Sequence, residues 1–294
     1  MKNQTKFECR LSFCCLLAVG FLLSACSKQD GAIQASSQST AQANLSGANF
    51  NSFATYTSLL SVNYDNGLLN SGIPNLEVTD ATAPDAAYMV SPGRSGTYAI
   101  AHKVVLGDSS YFSDEHWRSE SATNAVAAGK FVPGDERRYE FSVLLKDWTP
   151  YTTGMPASGD IIFQAKLGGG GNPAWYFMTK RNAIAFRDPN ANLQTNIVAD
   201  YRPYINQWMD FRVDVLWANT ATGYMKVYSK LPGQTDYTLI WQISNFQTWN
   251  PDNPNAVTGY MKWGLYRPDE SVANGDVLTR VIYHDSIKIY NIQP

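Results

Sequence analysis

Across the second half of the chain, apolar side chains recur at every second position in short runs, and glycine, proline and asparagine gather between the runs. A period of two marks a strand with one buried face, because successive side chains of an extended chain point to opposite sides. In Tyr139-Glu140-Phe141-Ser142-Val143-Leu144-Leu145 the apolar side chains mostly take alternate positions, and Phe211, Val213, Val215 and Trp217 alternate with Arg212, Asp214 and Leu216. Ile161 to Lys166, Tyr224 to Tyr228, Tyr237 to Ile243, Tyr260 to Tyr266 and Val281 to Tyr290 read as further strands. Turn signals separate them at Pro133-Gly134-Asp135, Pro156 to Gly159, Gly168 to Pro173, Asp188-Pro189-Asn190, Leu231-Pro232-Gly233 and Pro251 to Asn255. Many short strands at this spacing predict an all-β antiparallel sandwich or jelly roll. The one fair helical stretch is Ala122 to Gly129, short and alanine-rich.

The N-terminus has a different character. Lys2, Lys6 and Arg10 precede an apolar run from Leu11 to Leu23, too short for a comfortable membrane span, which ends in the small residues Ser24 and Ala25 before Cys26. Residues 1–25 read as a cleavable signal peptide and Leu23-Ser24-Ala25-Cys26 resembles a bacterial lipobox, with Cys26 as the lipidated residue. Residues 26–48, rich in Ser, Gln, Ala and Gly, read as a flexible tether, and residues 49–294 as one globular domain. The chain is thus expected at a bacterial outer membrane or cell surface, attached through lipid at Cys26. Its four cysteines all lie at or before position 26, so stability is expected to come from the core and not from disulfides.

Residues 1–25 carry three basic side chains and one acidic one, which leaves 20 basic and 24 acidic side chains in the remainder. That balance argues against a nucleic-acid partner, which calls for a basic face, but leaves room for a local cationic groove that binds an anion.

Three strand segments put polar groups on one face. His116, Arg118 and Glu120 share a side in His116-Trp117-Arg118-Ser119-Glu120. Gln164 and Lys166 share one in Phe163-Gln164-Ala165-Lys166. Tyr260, Lys262, Gly264 and Tyr266 share one in Tyr260-Met261-Lys262-Trp263-Gly264-Leu265-Tyr266, with Met261, Trp263 and Leu265 directed to the core. Singly, each has an ordinary structural reading: a sheet tyrosine, a solvated lysine, a packed histidine, a cross-strand pair of Arg118 with Glu120. Gly168 to Gly171 lacks the lysine and helix of a phosphate loop and reads as a loop at a groove edge.

Together and in this order, the segments resemble those of jelly-roll polysaccharide lyases, the group that includes alginate, glucuronan and heparin lyases. Arg118-Ser119-Glu120 resembles that group's Arg-x-Glu strand, Gln164-Ala165-Lys166 its Gln-x-His strand, and Tyr260 to Tyr266 its Tyr-x-Lys-x-Gly-x-Tyr strand. The resemblance covers roughly residues 63–290. Lys166 departs from it, standing where the alginate-lyase pattern has histidine; His116 is a histidine nearby on the same face as Arg118. The resemblance implies a concanavalin-like sandwich with a concave groove, a uronic-acid polymer such as glucuronan or alginate as substrate, and cleavage by β-elimination. It implies Gln164 and Arg118 as the groups that neutralise the substrate carboxylate, and Tyr266 as acid and base with Lys262, Lys166 and Arg118 lowering its pKa. His116 is the alternative base, and Lys166, Lys262, Tyr260, Glu120 and Asn172 are implied as substrate-binding. The scheme calls for no cofactor and no metal. The competing reading is a carbohydrate-binding lipoprotein without catalysis.

Overall fold

The computed structural model describes residues 54–293; the leader, Cys26 and the tether over 26–48 lie outside the described residues. Sixteen strands follow one another among them: β1 (Thr55–Val62), β2 (Ala87–Val90), β3 (Ala99–Val105), β4 (Phe112–Ser113), β5 (His116–Ala122), β6 (Lys130–Phe131), β7 (Glu136–Lys146), β8 (Gly159–Leu167), β9 (Trp175–Lys180), β10 (Ala183–Asp188), β11 (Leu193–Val198), β12 (Trp208–Leu216), β13 (Gly223–Lys230), β14 (Thr238–Phe246), β15 (Gly259–Arg267) and β16 (Thr279–Gln293). They form two antiparallel sheets. One runs β14-β13-β12-β7-β16-β3-β2, with β1 also paired to β16; the other runs β11-β10-β9-β8-β15-β5-β4, with β6 also paired to β15. The fold is the expected antiparallel jelly-roll sandwich.

The alternation read from the sequence is what the sheets bury. Tyr139, Phe141, Val143 and Leu145 of β7 and Phe211, Val213 and Val215 of β12 face Phe163, Ala165, Trp175, Phe177, Met261, Trp263 and Leu265 of the second sheet in one core cluster. Phe141 and Phe163 stack between the sheets, with ring centroids 3.7 Å apart and planes at 4°. Two of the buried indoles bond across the core: Trp263 Nε1 donates to Tyr64 Oη at 2.9 Å and Trp217 Nε1 to Tyr139 Oη at 3.0 Å.

One expectation needs correction, and two strands escaped the reading of the sequence. The stretch from Ala122 to Gly129 is not a helix: Ala122 closes β5, and only Ala127–Gly129 makes a 3₁₀ turn. Eight residues are too few to repay helix nucleation, and the Thr123 hydroxyl instead bonds the Gly129 carbonyl at 3.2 Å. Strands β9 and β10 carry no strict alternation, because Trp175 to Thr179 and Ala183 to Phe186 are buried throughout. They are short runs packed on both faces, which a search for a period of two passes over.

Two imidazoles bridge the sheets. His102 on β3 lies 3.1 Å through Nε2 from the Ser121 hydroxyl on β5, and His284 on β16 donates from Nε2 to the Ile162 carbonyl on β8 at 2.8 Å. Both are fully buried, and burial holds the His102 pKa down at about 3. A lowered histidine pKa contributes stability that is complete above the unfolded value of about 6.5 and is lost as pH falls toward the folded value. Glu77, Glu270 and Asp285 are pushed up by burial and act in the opposite direction, so comparison with a variant isolates His102. Between pH 7 and pH 5, chemical denaturation should show the wild type losing about 2 kcal/mol more stability than His102→Gln.

Candidate active site

The second sheet brings the three polar segments side by side, because β15 lies between β5 and β8. Register then sets the neighbours. Tyr266 faces Arg118 and Gly264 faces Glu120 across β5; Lys262 faces Gln164 and Tyr260 faces Lys166 across β8. The alternate residues Met261, Trp263, Leu265, Phe163 and Ala165 are locked in the core, so the polar set has to face outward.

There it lines a cavity of about 590 Å³. His116, Arg118, Gln164, Lys166, Tyr260, Lys262 and Tyr266 all contribute to the wall, and Asn172 joins them from the loop after Gly171. Glu120 does not line the cavity; it is 3% exposed. Its Oε1 accepts a hydrogen bond from Gln164 Nε2 at 2.6 Å, its Oε2 lies 2.9 Å from Lys262 Nζ, and Arg118 Nη1 stands 4.0 Å away. Arg118 is anchored on its other side, donating from Nη2 to the Asp114 carbonyl at 3.0 Å, and its guanidinium covers the Tyr266 ring at 4.4 Å. His116 meets Tyr266 edge to face, with centroids 5.3 Å apart.

The glycine run is the cavity edge, as expected of it. Gly169, Gly170 and Gly171 all have positive φ, and the loop is tied down by Asn253 Nδ2 donating to the Gly169 carbonyl at 2.9 Å and by the Asn172 amide donating to Asp252 at 2.6 Å. Lys166 Nζ donates to the Gly171 carbonyl.

Burial and charge compete at each titratable group. Burial raises the Tyr266 pKa; Arg118 and Lys262 pull it down, while Glu120 and Asp269 push it up, and it ends above the ordinary tyrosine value. The expected lowering by cations is therefore overcome in the free site. Burial lowers Lys166, and the charges of Lys262 and Arg118 lower it further. Burial also acts to lower Lys262, but the Glu120 carboxylate outweighs it and the ammonium ends above its ordinary value.

Residues that sequence reasoning missed also line the cavity: Asp114, Ile161, Tyr176, Pro268 and Asp269 among them. Ile161, Tyr176, Met178 and Ala185 make a small apolar cluster against which Tyr266 packs. Tyr176 sits on β9, a strand hidden by its two-sided burial; Ile161 faces the cavity because β8 shifts register between Ile161 and Phe163. A sequence gives no signal for that shift.

Comparison with known proteins agrees with this architecture. Residues 61–288 match the family described as Polysaccharide lyase. An endo-β-1,4-glucuronan lyase from the fungus Trichoderma reesei superposes with a TM-score of 0.55 at 19% identity, over 79% of this chain and 95% of the other. A marine alginate lyase from Aplysia kurodai superposes with a TM-score of 0.52 at 12% identity, over 79% and 98%. At these identities the likeness is one of fold. No curated protein matches the chain significantly.

The pairing in the wall makes the lysines unequal. Lys262→Met leaves the Glu120 carboxylate buried without its nearest cation and should cost about 3 kcal/mol in chemical denaturation. Lys166 has no carboxylate within ion-pair distance among the described residues, so Lys166→Met should cost less than about 1 kcal/mol.

Proposed function

We propose that this chain, which belongs to the polysaccharide lyase family, cleaves a uronic-acid-containing polymer, glucuronan- or alginate-like, by β-elimination. The observation that carries the reading is that Arg118, Gln164 and Tyr266 converge on one cavity together with His116 and two lysines. The C5 hydrogen of a uronate is a weak acid, because the adjacent carboxylate is already negative. Its removal requires added charge on that carboxylate to be stabilised as an enolate-like state forms. Arg118 supplies a fixed cationic fork and Gln164 an amide donor; such preorganised donors are worth roughly 100- to 1000-fold in rate each.

Tyr266, protonated at neutral pH as an ordinary phenol is and pushed further up by burial, is the acid: it gives its phenolic proton to the C4 oxygen as the C4–O bond breaks. His116 takes the C5 proton, and the C5–H electron pair becomes the C4–C5 double bond. The edge-to-face contact of the two rings supports an acid and a base acting from one face of a sugar. That favours glucuronate and mannuronate, in which the C5 hydrogen and C4 oxygen share a ring face, over guluronate, in which they are opposed. Asp114 and Asp269 in the same wall favour a polymer whose charge is carboxylate over one densely sulfated. The glucuronan lyase that shares the fold acts on a β-1,4-glucuronan, which supports the same choice. The lipid anchor at Cys26 and a surface location remain part of the proposal, supported by the leader sequence.

The test is ultraviolet absorbance during incubation with glucuronan, mannuronan, guluronan and heparin, since elimination creates a double bond conjugated to the carboxylate and hydrolysis does not. Tyr266→Phe should lower kcat roughly 100-fold or more while binding changes less than about twofold. His116→Ala should fall similarly and recover in part with added imidazole. Polymer binding with no absorbance rise for any substrate would make the cavity a carbohydrate-binding site without chemistry.

The pH dependence separates binding from proton transfer. Burial and two neighbouring cations lower the pKa of Lys166 in the free site and burial raises that of Tyr266, while a bound carboxylate favours the charged lysine. On the alkaline side kcat/KM, which reports the free enzyme, should therefore fall at a lower pH than kcat does. Lys166→Gln should remove that earlier limb.

A further inference from the structure

A buried carboxylate beside a cavity for an anionic sugar has to be explained, because its charge opposes the substrate's. Glu120 is held by a hydrogen bond from Gln164 Nε2 at 2.6 Å and an ion pair with Lys262 Nζ at 2.9 Å, and it does not line the cavity. We propose that Glu120 is a positioning residue that fixes which end of the Gln164 amide faces the substrate, and that Gly264 is the gap that lets it do so. The inference rests on the lyase reading of this cavity.

A carboxylate only accepts hydrogen bonds, so Glu120 admits the NH₂ end of the amide and refuses the carbonyl end. Turning the amide over would set two oxygens against each other at hydrogen-bond distance. With Glu120 in place the amide nitrogen is pinned, and its second N–H has no hydrogen-bond partner among the described residues. Without Glu120 nothing selects the orientation of the amide, and the N–H left over for a uronate carboxylate is no longer fixed in place.

The reach has a structural cost that the sequence meets with glycine. Glu120 on β5 and Gln164 on β8 are separated by β15, so their backbones lie two strand spacings apart, about 10 Å. Gly264 is the β15 residue opposite Glu120. Its φ is +148°, and a Cβ there would stand 2.3 Å from the Ser119 carbonyl oxygen and 2.6 Å from Glu120 Cα. Any side chain at 264 would force β5 away from β15 and draw Glu120 out of range of Gln164. The glycine of Tyr260-Met261-Lys262-Trp263-Gly264-Leu265-Tyr266 thus serves the amide on the far strand.

The experiment compares wild type, Glu120→Gln, Gln164→Ala and the double variant on the polymer that the wild type cleaves. Glu120→Gln keeps the volume but can donate or accept, so it no longer selects one amide orientation. Its kcat should fall roughly 10- to 100-fold with KM within about twofold, and the double variant should match Gln164→Ala alone to within about twofold. A wild-type kcat in Glu120→Gln, or losses that multiply in the double variant, would overturn the proposal and leave the lyase reading intact. A rise in KM with kcat unchanged would also overturn it, making Glu120 a binding residue.

A second readout needs no turnover. In ¹⁵N–¹H spectra one side-chain amide proton of Gln164 should be protected from exchange in the wild type and markedly less protected in Glu120→Gln. If no polymer is cleaved, the lyase reading fails, and unchanged Gln164 signals would separately overturn the orientation claim. Should Glu120→Gln not fold, Glu120→Gln/Lys262→Met removes both buried charges together and should lose the same protected proton.

Discussion

In an antiparallel sheet, directly opposed side chains have their Cβ atoms about 5 Å apart whatever their chemistry. The site depends on that constraint. β15 pairs with β5 on one side and β8 on the other, and its register puts Tyr266 against Arg118 and Lys262 against Gln164. What holds the register is the other face of the same strands. Met261, Trp263 and Leu265 alternate with the polar set and are fully buried, so a slip by one residue would turn the indole of Trp263 to solvent and the Lys262 ammonium into the core. The hydrophobic core thereby aligns the polar groups without touching the cavity.

The charges of the cavity are arranged as a hierarchy. Lys262 is neutralised by Glu120, and Arg118 is divided between Asp114 and the Tyr266 ring. Lys166 is left with a backbone carbonyl as its partner, and its pKa moves down with burial and with its cationic neighbours. A cation in that condition gains most from an incoming carboxylate, which removes both the repulsion and the unmet charge. The position at which the chain departs from the Gln-x-His pattern is thus a cavity cation with no carboxylate partner among the described residues.

Much of this was legible in the chain. The strands with one polar face, β7, β12, β13 and β15, could be read because their alternation is a direct record of one polar and one apolar side. The three polar segments could be read for the same reason, and they do meet. Strands β9 and β10 could not, since burial on both faces removes the polar half of the pattern. The short stretch after Ala122 misled, because alanine favours a helix only where enough residues follow to propagate one, and Thr123 offered the backbone another partner. Tyr266 was expected to be brought down by cations, but burial is a property of packing and outweighed them.

The sequence by itself determined the class of fold, which residues face the core, and which polar side chains share a strand face, because each of these follows from a local period of two. Only the tertiary structure decided that β15 lies between β5 and β8, that Tyr176 and Asp269 join the wall, and that Glu120 reaches past Gly264 to Gln164. Those contacts link residues far apart in the chain, 148 positions for Arg118 and Tyr266. Their distances depend on strand order and on a register shift in β8, neither of which is encoded in any local pattern.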